Sequence, residues 1–182
     1  MNIEYYYNEL CKRTSDVNEH LPVLAELSKE CSTIVEFGVR NVVSTFAFAV
    51  TRPNKLICVD IVKSYNVDPF LQLCASEGIN VEFYESDSRT FEFESADLIF
   101  IDTLHNYSQI KAELQHFGNK SKKYLVFHDT ITYGNVDEEP TEGSLKTGIV
   151  SAIKEFMKDN PHWKELVTYS NNNGLTVLVR EQ

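Results

Sequence analysis

The strongest constraint on the fold is a repeated pattern in which an apolar, β-branched run ends in a carboxylate or a glycine. The first run contains Glu36 and ends at Gly38, and later runs end at Asp60, Asp102 and Asp129. Continuous apolar runs are typical of strands that are buried on both faces of a parallel sheet. Ligands of open parallel sheets bind at the C-terminal ends of the strands, so these residues predict the ligand-binding edge.

Helix-like segments separate the predicted strands, and strands alternating with helices predict a doubly wound α/β sheet in three layers, α/β/α. Ser15 or Asp16 is predicted to cap the helix over 16–30. The Asn173-Gly174 pair predicts a closing antiparallel hairpin, because both residues tolerate positive φ. The sequence thus predicts a sheet of about seven strands, most of them parallel. The predicted strands are 33–38, 55–60, 79–84, 97–102, 123–128, 165–169 and 175–179, and the predicted helices are 3–12, 16–30, 67–77, 107–117 and 147–159.

Length and charge limit the domain organisation and the partners. We expect one domain over 1–182, with a helical N-terminal segment at 1–31 and the sheet core at 32–182. The net charge of −10 argues against a nucleic-acid partner, because proteins bind nucleic acids through clustered Lys and Arg residues that neutralise phosphates. A membrane partner is not expected, because no stretch approaches the roughly 18 apolar residues of a membrane span. The N-terminus lacks the pattern of a signal peptide, and the four cysteines are scattered singly, so we expect a cytoplasmic protein with reduced thiols.

Several polar residues near the predicted strand ends are candidates for cofactor binding. Gly38 lets a ligand approach the backbone closely, although a tight strand-to-helix turn explains it equally well. Asp60 lies 22 residues after Gly38 (60 minus 38) and suits the hydroxyls of a ribose, with helix capping as the alternative. Asp87 is placed to bind an adenine amino group or to form a turn.

The most informative group of side chains follows the fourth and fifth predicted strands. Asp102 and Asp129 converge if those strands are neighbours, because adjacent strands lie about 4.8 Å apart. Two carboxylates that close repel each other unless a cation or a proton lies between them. With His105 and His128 beside them, the group suits a divalent metal, or a general base at His105. In the alternative, Asp102 contacts a cofactor and Asp129 caps a loop.

This pattern resembles the class I S-adenosylmethionine-dependent methyltransferases, and within them the small O-methyltransferase group of macrocin-type sugar methyltransferases and cephalosporin hydroxylase-like proteins. The resemblance spans nearly the whole chain and implies a Rossmann-like fold. The residues that carry it are Val35-Glu36-Phe37-Gly38-Val39-Arg40 with Ser44-Thr45, Val59-Asp60, Ser86-Asp87-Ser88, Asp102 to Tyr107, His128-Asp129-Thr130 and Asn173 to Val177.

The resemblance implies S-adenosyl-L-methionine as cofactor, with Glu36 and Gly38 at its methionine end, Asp60 at the ribose, and Asp87 with Ser88 at the adenine. Asp102 would border the transferred methyl group, and His105 would be the catalytic base. In the metal-using relatives a magnesium ion holds the acceptor hydroxyl, and the corresponding positions here are Asp102, His128 and Asp129. The cofactor-binding residues implied are Glu36, Gly38, Ser44, Asp60, Asp87, Ser88 and Asp102.

The function predicted from the sequence is therefore methyl transfer to a hydroxyl of a small molecule, such as a sugar. One alternative is an enzyme that binds NAD or a nucleotide sugar, which Asp60 supports and the missing glycines oppose. Another is a non-catalytic module with a diverged pocket, suggested by Val42 in the second glycine position and by His128. The acidic loop 130–146 either covers the site or is solvated. Tyr5 to Tyr7 either cover the acceptor or pack against a helix or a second copy of the chain.

Overall fold

A computed structural model describes residues 1–139 and 147–181, so residues 140–146 of the predicted acidic loop lie outside the described part. Seven strands form one sheet in the order β3-β2-β1-β4-β5-β7-β6, and the first five of these are mutually parallel. The strands are β1 Thr33–Phe37, β2 Lys55–Asp60, β3 Val81–Glu85, β4 Ala96–Ile101, β5 Ser121–His128, β6 Trp163–Tyr169 and β7 Leu175–Arg180. The predicted α/β fold with about seven strands is confirmed.

Helices cover both faces of this sheet. The helices are α1 Ile3–Lys12, α2 Leu21–Ser28, α3 Val43–Ala49, α4 Val67–Ser76, α5 Tyr107–Phe117 and α6 Gly148–Asp159. Successive strand residues point to opposite faces, so β1 sends Ile34 into the core under α1 to α4 and Val35 into the core under α5 and α6. The three predicted layers follow from this alternation.

The N-terminal segment differs from the predicted single helix over 16–30. Asn18–His20 form a short 3-10 helix, and α2 begins at Leu21 with Pro22 in its first turn. Proline is favoured there because its missing N–H is not needed in the first turn. The predicted capping by Ser15 or Asp16 was wrong: no side chain of the described residues caps either helix, and the Asp16 carboxylate pairs with Arg40 instead.

The C-terminal hairpin forms as predicted, and it places β7 between β5 and β6. Asn172, Asn173 and Gly174 all have positive φ, at 45°, 71° and 97°. A Cβ atom on Gly174 would lie 2.5 Å from the backbone nitrogen of Ile131, so this position requires glycine. The turn thereby packs against the chain that leaves β5.

Tyr6 and Tyr7 at the N-terminus pack against the body of the protein. The ring of Tyr6 contacts that of Phe46 on α3, with 5.6 Å between their centroids, and Tyr7 packs against the core beneath α1. This agrees with the predicted alternative that these tyrosines pack against a helix. Every helix in the described ranges is too short or too polar to cross a bilayer.

Candidate active site

The C-terminal edge of the sheet brings the predicted residues together around the turn that follows β1. Gly38 has a φ of +86°, and a Cβ atom there would lie 1.9 Å from the carbonyl oxygen of Asp102. The amide of Gly38 donates to the Val59 carbonyl at 2.9 Å, and the amide of Asp102 donates to the Phe37 carbonyl at 2.9 Å. Glycine is therefore required because the ends of β1 and β4 touch, whatever binds above them.

Asp60 holds this same turn in place. Its Oδ2 accepts hydrogen bonds from the amides of Val39 and Arg40 at 2.8 and 2.9 Å, and its Oδ1 accepts one from Val62 at 3.0 Å. These are bonds across a turn, and none of them caps a helix, so the helix-capping alternative was wrong. A carboxylate has about four lone-pair sites, so Asp60 can accept one more hydrogen bond, for example from a ligand.

Glu36 lies below the surface of this edge. Its side chain is fully buried, and its Oε1 accepts a 2.5 Å hydrogen bond from the hydroxyl of Ser44, which itself lines a cavity. Burial raises the pKa of Glu36 to about 8, although the Ser44 hydroxyl opposes the shift. Its Oε2 has no hydrogen-bond partner among the described residues. A direct contact between Glu36 and a cofactor stays a prediction.

Two cavities meet above the strand ends. The first, of about 320 Å³, lies between the β1–α3 turn and residues 15–17, and the second, of about 530 Å³, lies over the ends of β2 and β4. Gly38, Arg40 and Asp102 line both, so the cavities are adjacent. Their sizes are those of small-molecule sites. Asp60, Asp87 and Ser88 line the second cavity, as their predicted role requires.

Asp87 and Ser88 also have structural partners. Asp87 makes a bidentate ion pair with the guanidinium of Arg89, with a shortest distance of 2.6 Å, and it accepts from the Arg89 amide at 2.9 Å. The Ser88 hydroxyl donates to the buried carboxylate of Glu113 on α5 at 2.5 Å. Glu113 also accepts from Thr103, and this hydrogen-bonded connection between the β3–β4 and β4–α5 loops had no signal in the sequence.

Asp102 and Asp129 do converge, as the adjacent strands predicted, and two histidines lie between and beside them. His105 Nε2 lies 3.0 Å from Asp102 Oδ1 and 3.0 Å from Asp129 Oδ2. The other nitrogen of His105, Nδ1, lies 2.8 Å from Glu138 Oε2. Each nitrogen thus faces carboxylates, which accept hydrogen bonds, and both must carry a proton to donate. We call Asp102, His105, His128, Asp129 and Glu138 the ionic cluster.

His128 is held in the same way. Its Nε2 lies 3.2 Å from the carbonyl oxygen of Asn172, and its Nδ1 lies 3.3 Å from Asp102 and 3.4 Å from Asp129. A carbonyl can only accept, so Nε2 is protonated, and Nδ1 faces two carboxylates. These contacts favour the imidazolium form of both histidines, which lie beside Asp102 and Asp129.

The pKa shifts agree with this charge assignment. Burial alone would lower the pKa of His128, but hydrogen bonds to Asp102 and Asp129 outweigh it and raise the value to about 10. Burial would also lower the pKa of His105. The hydrogen bond to Asp102, the negative charges of Asp102 and Asp129 and the hydrogen bond to Glu138 outweigh it and raise that pKa. For Asp102, burial is outweighed by hydrogen bonds from both histidines, which hold its pKa well below the usual range.

The predicted metal ligands are close enough together to share an ion. Asp102, His128 and Asp129 each offer one ligand atom, and these atoms all lie within 4.8 Å of one another. Metal coordination by His128 requires an unprotonated nitrogen, which its contacts with Asn172 and the carboxylates disfavour. His105 Nε2 also lies at hydrogen-bond distance from both carboxylates. Metal binding by Asp102, His128 and Asp129 stays a prediction.

Part of the acidic loop packs over this cluster. Glu138 contacts His105, and Asp137 accepts from the Tyr107 amide at 2.8 Å, where it supports the N-terminus of α5. The ring of Tyr133 stacks on His105, with 5.1 Å between centroids and 5° between planes. Tyr133 and Glu138 of the described part of the loop therefore contact the ionic cluster, and Asp137 is buried.

Sequence reasoning missed the residues behind the cluster. His20 is fully buried, and its ring lies 5.6 Å from that of His128. Burial and then the charge of His128 lower the pKa of His20. Asn172, which precedes the Asn173-Gly174 pair of the hairpin turn, offers its carbonyl to both histidines. A polar residue in an Asn-rich turn gives no sign of such contacts.

Neither a protein-family model nor a curated protein matches this chain. Solved structures do. The N-methyltransferase NodS from Bradyrhizobium japonicum WM9, in complex with S-adenosyl-L-homocysteine, is 15% identical with a TM-score of 0.64 over 100% of both chains. A methyltransferase from Podospora anserina, bound to the same compound, is 12% identical with a TM-score of 0.61 over 99% of this chain and 88% of its own.

A third similar structure is that of a proposed O-methyltransferase from Klebsiella pneumoniae. It is 16% identical with a TM-score of 0.66, over 99% of this chain and 90% of its own. At these identities the likeness establishes the fold, which is a Rossmann-like methyltransferase fold with a closing antiparallel hairpin.

Proposed function

We propose that this protein is an S-adenosyl-L-methionine-dependent methyltransferase that acts on an oxygen of a small molecule. The observation that carries the proposal is the pair of adjacent cavities at the C-terminal edge of the sheet, which meet at Gly38 and Asp102. Binding at that edge is the rule for open α/β sheets. The similar solved structures include two methyltransferases with S-adenosyl-L-homocysteine bound, which supports the choice of ligand.

The residues around the two cavities suit the parts of this cofactor. Asp60 and Asp87 line the second cavity with carboxylates, which can accept hydrogen bonds from ribose hydroxyls and an adenine amino group. The amino-acid end then lies in the first cavity, beside Ser44. When bound, the cofactor supplies an electrophilic methyl group on sulfur.

Asp102 lines both cavities and His105 lines the second, so an acceptor hydroxyl beside them would lie near the transferred methyl group. The proposed base is His105, which must first lose a proton. Its Nδ1 proton points at Glu138, whose side chain is 37% exposed and offers a route to solvent. We expect His105→Ala to bind cofactor normally and to lose turnover; unchanged activity would remove His105 from the mechanism.

We further propose that the reaction does not depend on magnesium. The imidazolium rings of His105 and His128 already supply the positive charge that two adjacent carboxylates need. Turnover measured with added magnesium should match turnover with a chelator. A loss of activity on chelation that magnesium restores would contradict this part of the proposal.

A thermal-shift titration tests the function most simply. A ligand that binds only the native state raises the melting temperature, so S-adenosyl-L-methionine and S-adenosyl-L-homocysteine should each raise it. NAD should leave it unchanged, since the first turn lacks the glycines of the dinucleotide motif. A shift with NAD alone would favour the dinucleotide-binding alternative, and no shift with either adenosyl compound would contradict the proposal.

A second candidate is a non-catalytic binding module with the same fold. Two observations favour this candidate. Val42, a β-branched residue, has a φ of +65° at the second glycine position of the motif. Both ring nitrogens of His105 lie within hydrogen-bond distance of carboxylates. A screen of hydroxylated sugars and phenols separates the two functions. Methyl transfer to any of them supports the enzyme, whereas cofactor binding without transfer to any acceptor supports the module.

A further inference from the structure

Arg40 lies where the two cavities of the candidate site meet. It follows Gly38 in the β1–α3 turn, has a φ of +43°, and lines both the first and the second cavity. Its backbone amide is fixed by the Asp60 carboxylate at 2.9 Å. The side chain of Arg40 therefore extends from a backbone segment that is held by a hydrogen bond and lies at the boundary between the two cavities.

The guanidinium is only partly used. Within the described residues its one hydrogen-bond partner is Asp16, with 2.7 Å between Nη1 and Oδ2. The side chains of Arg40 and Asp16 are 59% and 38% exposed, and exposed pairs of this kind contribute little to stability. Since a guanidinium has five N–H donors, most of the hydrogen-bonding capacity of Arg40 faces solvent or the cavities.

We infer that Arg40 binds the α-carboxylate of the amino-acid end of the cofactor, with Asp16 beside it for the α-amino group. The assignment rests on the proposed function. It follows from charge complementarity, because an amino-acid group is a zwitterion and the first cavity is lined by one cation, Arg40, next to the carboxylates of Asp16 and Asp102.

The chemistry of the two groups supports this pairing. Arginine binds carboxylates through two parallel N–H···O bonds, which add direction as well as energy. The bond from Nη1 to Asp16 leaves the other donors of the guanidinium for such a contact. The ligand would thus join an ion pair that is already in place, and Asp16 would not lose its partner. Arg40 would select ligands that carry the carboxylate.

The test compares two ligands that differ only in that carboxylate. Affinities of wild type and Arg40→Ala are measured by calorimetry for S-adenosyl-L-methionine and for decarboxylated S-adenosyl-L-methionine. Wild type should prefer the intact cofactor on the order of 10- to 100-fold, as expected for hydrogen bonds between charged groups. Arg40→Ala should lose that preference while binding the decarboxylated ligand as wild type does. Alanine keeps the Cβ atom, so the backbone strain at this position is unchanged.

Arg52→Ala is the matched control. Arg52 also has a positive φ, of 55°, and also pairs with a carboxylate, with 2.6 Å between Nη2 and Glu77 Oε2, but it does not line either cavity. Its replacement should leave both affinities unchanged. An equal loss for both ligands in Arg40→Ala, or no loss for either, overturns the assignment alone. Failure of wild type to bind either ligand overturns the proposed function and the assignment with it.

Discussion

The two halves of the C-terminal edge satisfy their polar groups in different ways. At β1 and β2, one carboxylate, Asp60, holds backbone amides, and Gly38 lets two chain segments touch. At β4 and β5, charged side chains hold one another, and His105 and His128 separate Asp102 from Asp129. The first half is therefore sensitive to steric changes in the backbone, and the second to changes in charge.

A substitution at the β1–β2 half, where added atoms clash with the backbone, should cause the largest loss of stability. Gly38→Ala places a Cβ atom 1.9 Å from the carbonyl oxygen of Asp102 at a φ of +86°, so either the turn or β4 must move. We expect a loss of at least about 4 kcal/mol in the free energy of unfolding, or no folding at all. The control Gly78→Ala has a φ of +70° but nothing within 4 Å of the new atom, and should lose only about 1 kcal/mol. Equal losses in urea unfolding would contradict the steric account.

A substitution that removes a charge from the β4–β5 half should cause the second largest loss of stability. His128→Leu leaves Asp102 and Asp129 without one of their two cations, and removing one member of a buried ion pair costs about 3 kcal/mol or more. His116→Leu is the control and should cost about 1 kcal/mol, because among the described residues His116 has a hydrogen bond to the Phe91 carbonyl and a distant, exposed ion pair with Glu92. A loss below about 1 kcal/mol for His128→Leu at pH 7 would argue against a charged His128.

The charged half should also give stability a distinctive pH dependence. A histidine whose pKa is raised on folding stabilises the protein fully below its unfolded pKa, near 6.5, and ceases to do so as the pH rises through the folded value. For His128 that value is about 10. Between pH 7 and 9 the unfolding free energy of wild type should therefore fall by about 1.4 kcal/mol per pH unit more than that of His128→Leu. Parallel curves for the two proteins would contradict the raised pKa.

The smallest effect is expected for the carboxylate that holds the turn. Asp60→Ala removes the acceptor for three amides that can partly turn to water, so a loss of about 1–2 kcal/mol is expected. Asp68→Ala removes an exposed carboxylate paired with Lys63 and should cost less than about 0.5 kcal/mol. Indistinguishable losses in urea unfolding would mean that Asp60 does not hold the turn.

Local patterns predicted the framework because the central strands β1, β2 and β4 are nearly continuous apolar runs. The hairpin followed from the backbone preferences of Asn173 and Gly174, and the convergence of Asp102 with Asp129 from the spacing of parallel strands. The helix over 16–30 was wrong because a 3-10 turn precedes Pro22, and the start of a helix depends on contacts that periodicity does not report.

The side chains that complete the site could not be predicted, because they come from loops or helix faces with no regular pattern. Glu138 lies 33 residues from His105 in a loop, and only the folded chain brings the two together. Glu113 occupies a helix position where a solvated carboxylate is the usual expectation, yet it is fully buried. Arg40 lies two residues after Gly38, and nothing in that spacing indicates a guanidinium between two cavities.

The central claim is that both cavities together hold one molecule of the methyl-donor cofactor, and a crystal structure with S-adenosyl-L-homocysteine tests it most directly. The adenosine should lie in the second cavity beside Asp60 and Asp87, and the amino-acid group in the first cavity beside Arg40 and Asp16. Crystals grown at saturating ligand that show both cavities empty, or the ligand bound elsewhere, would contradict the account.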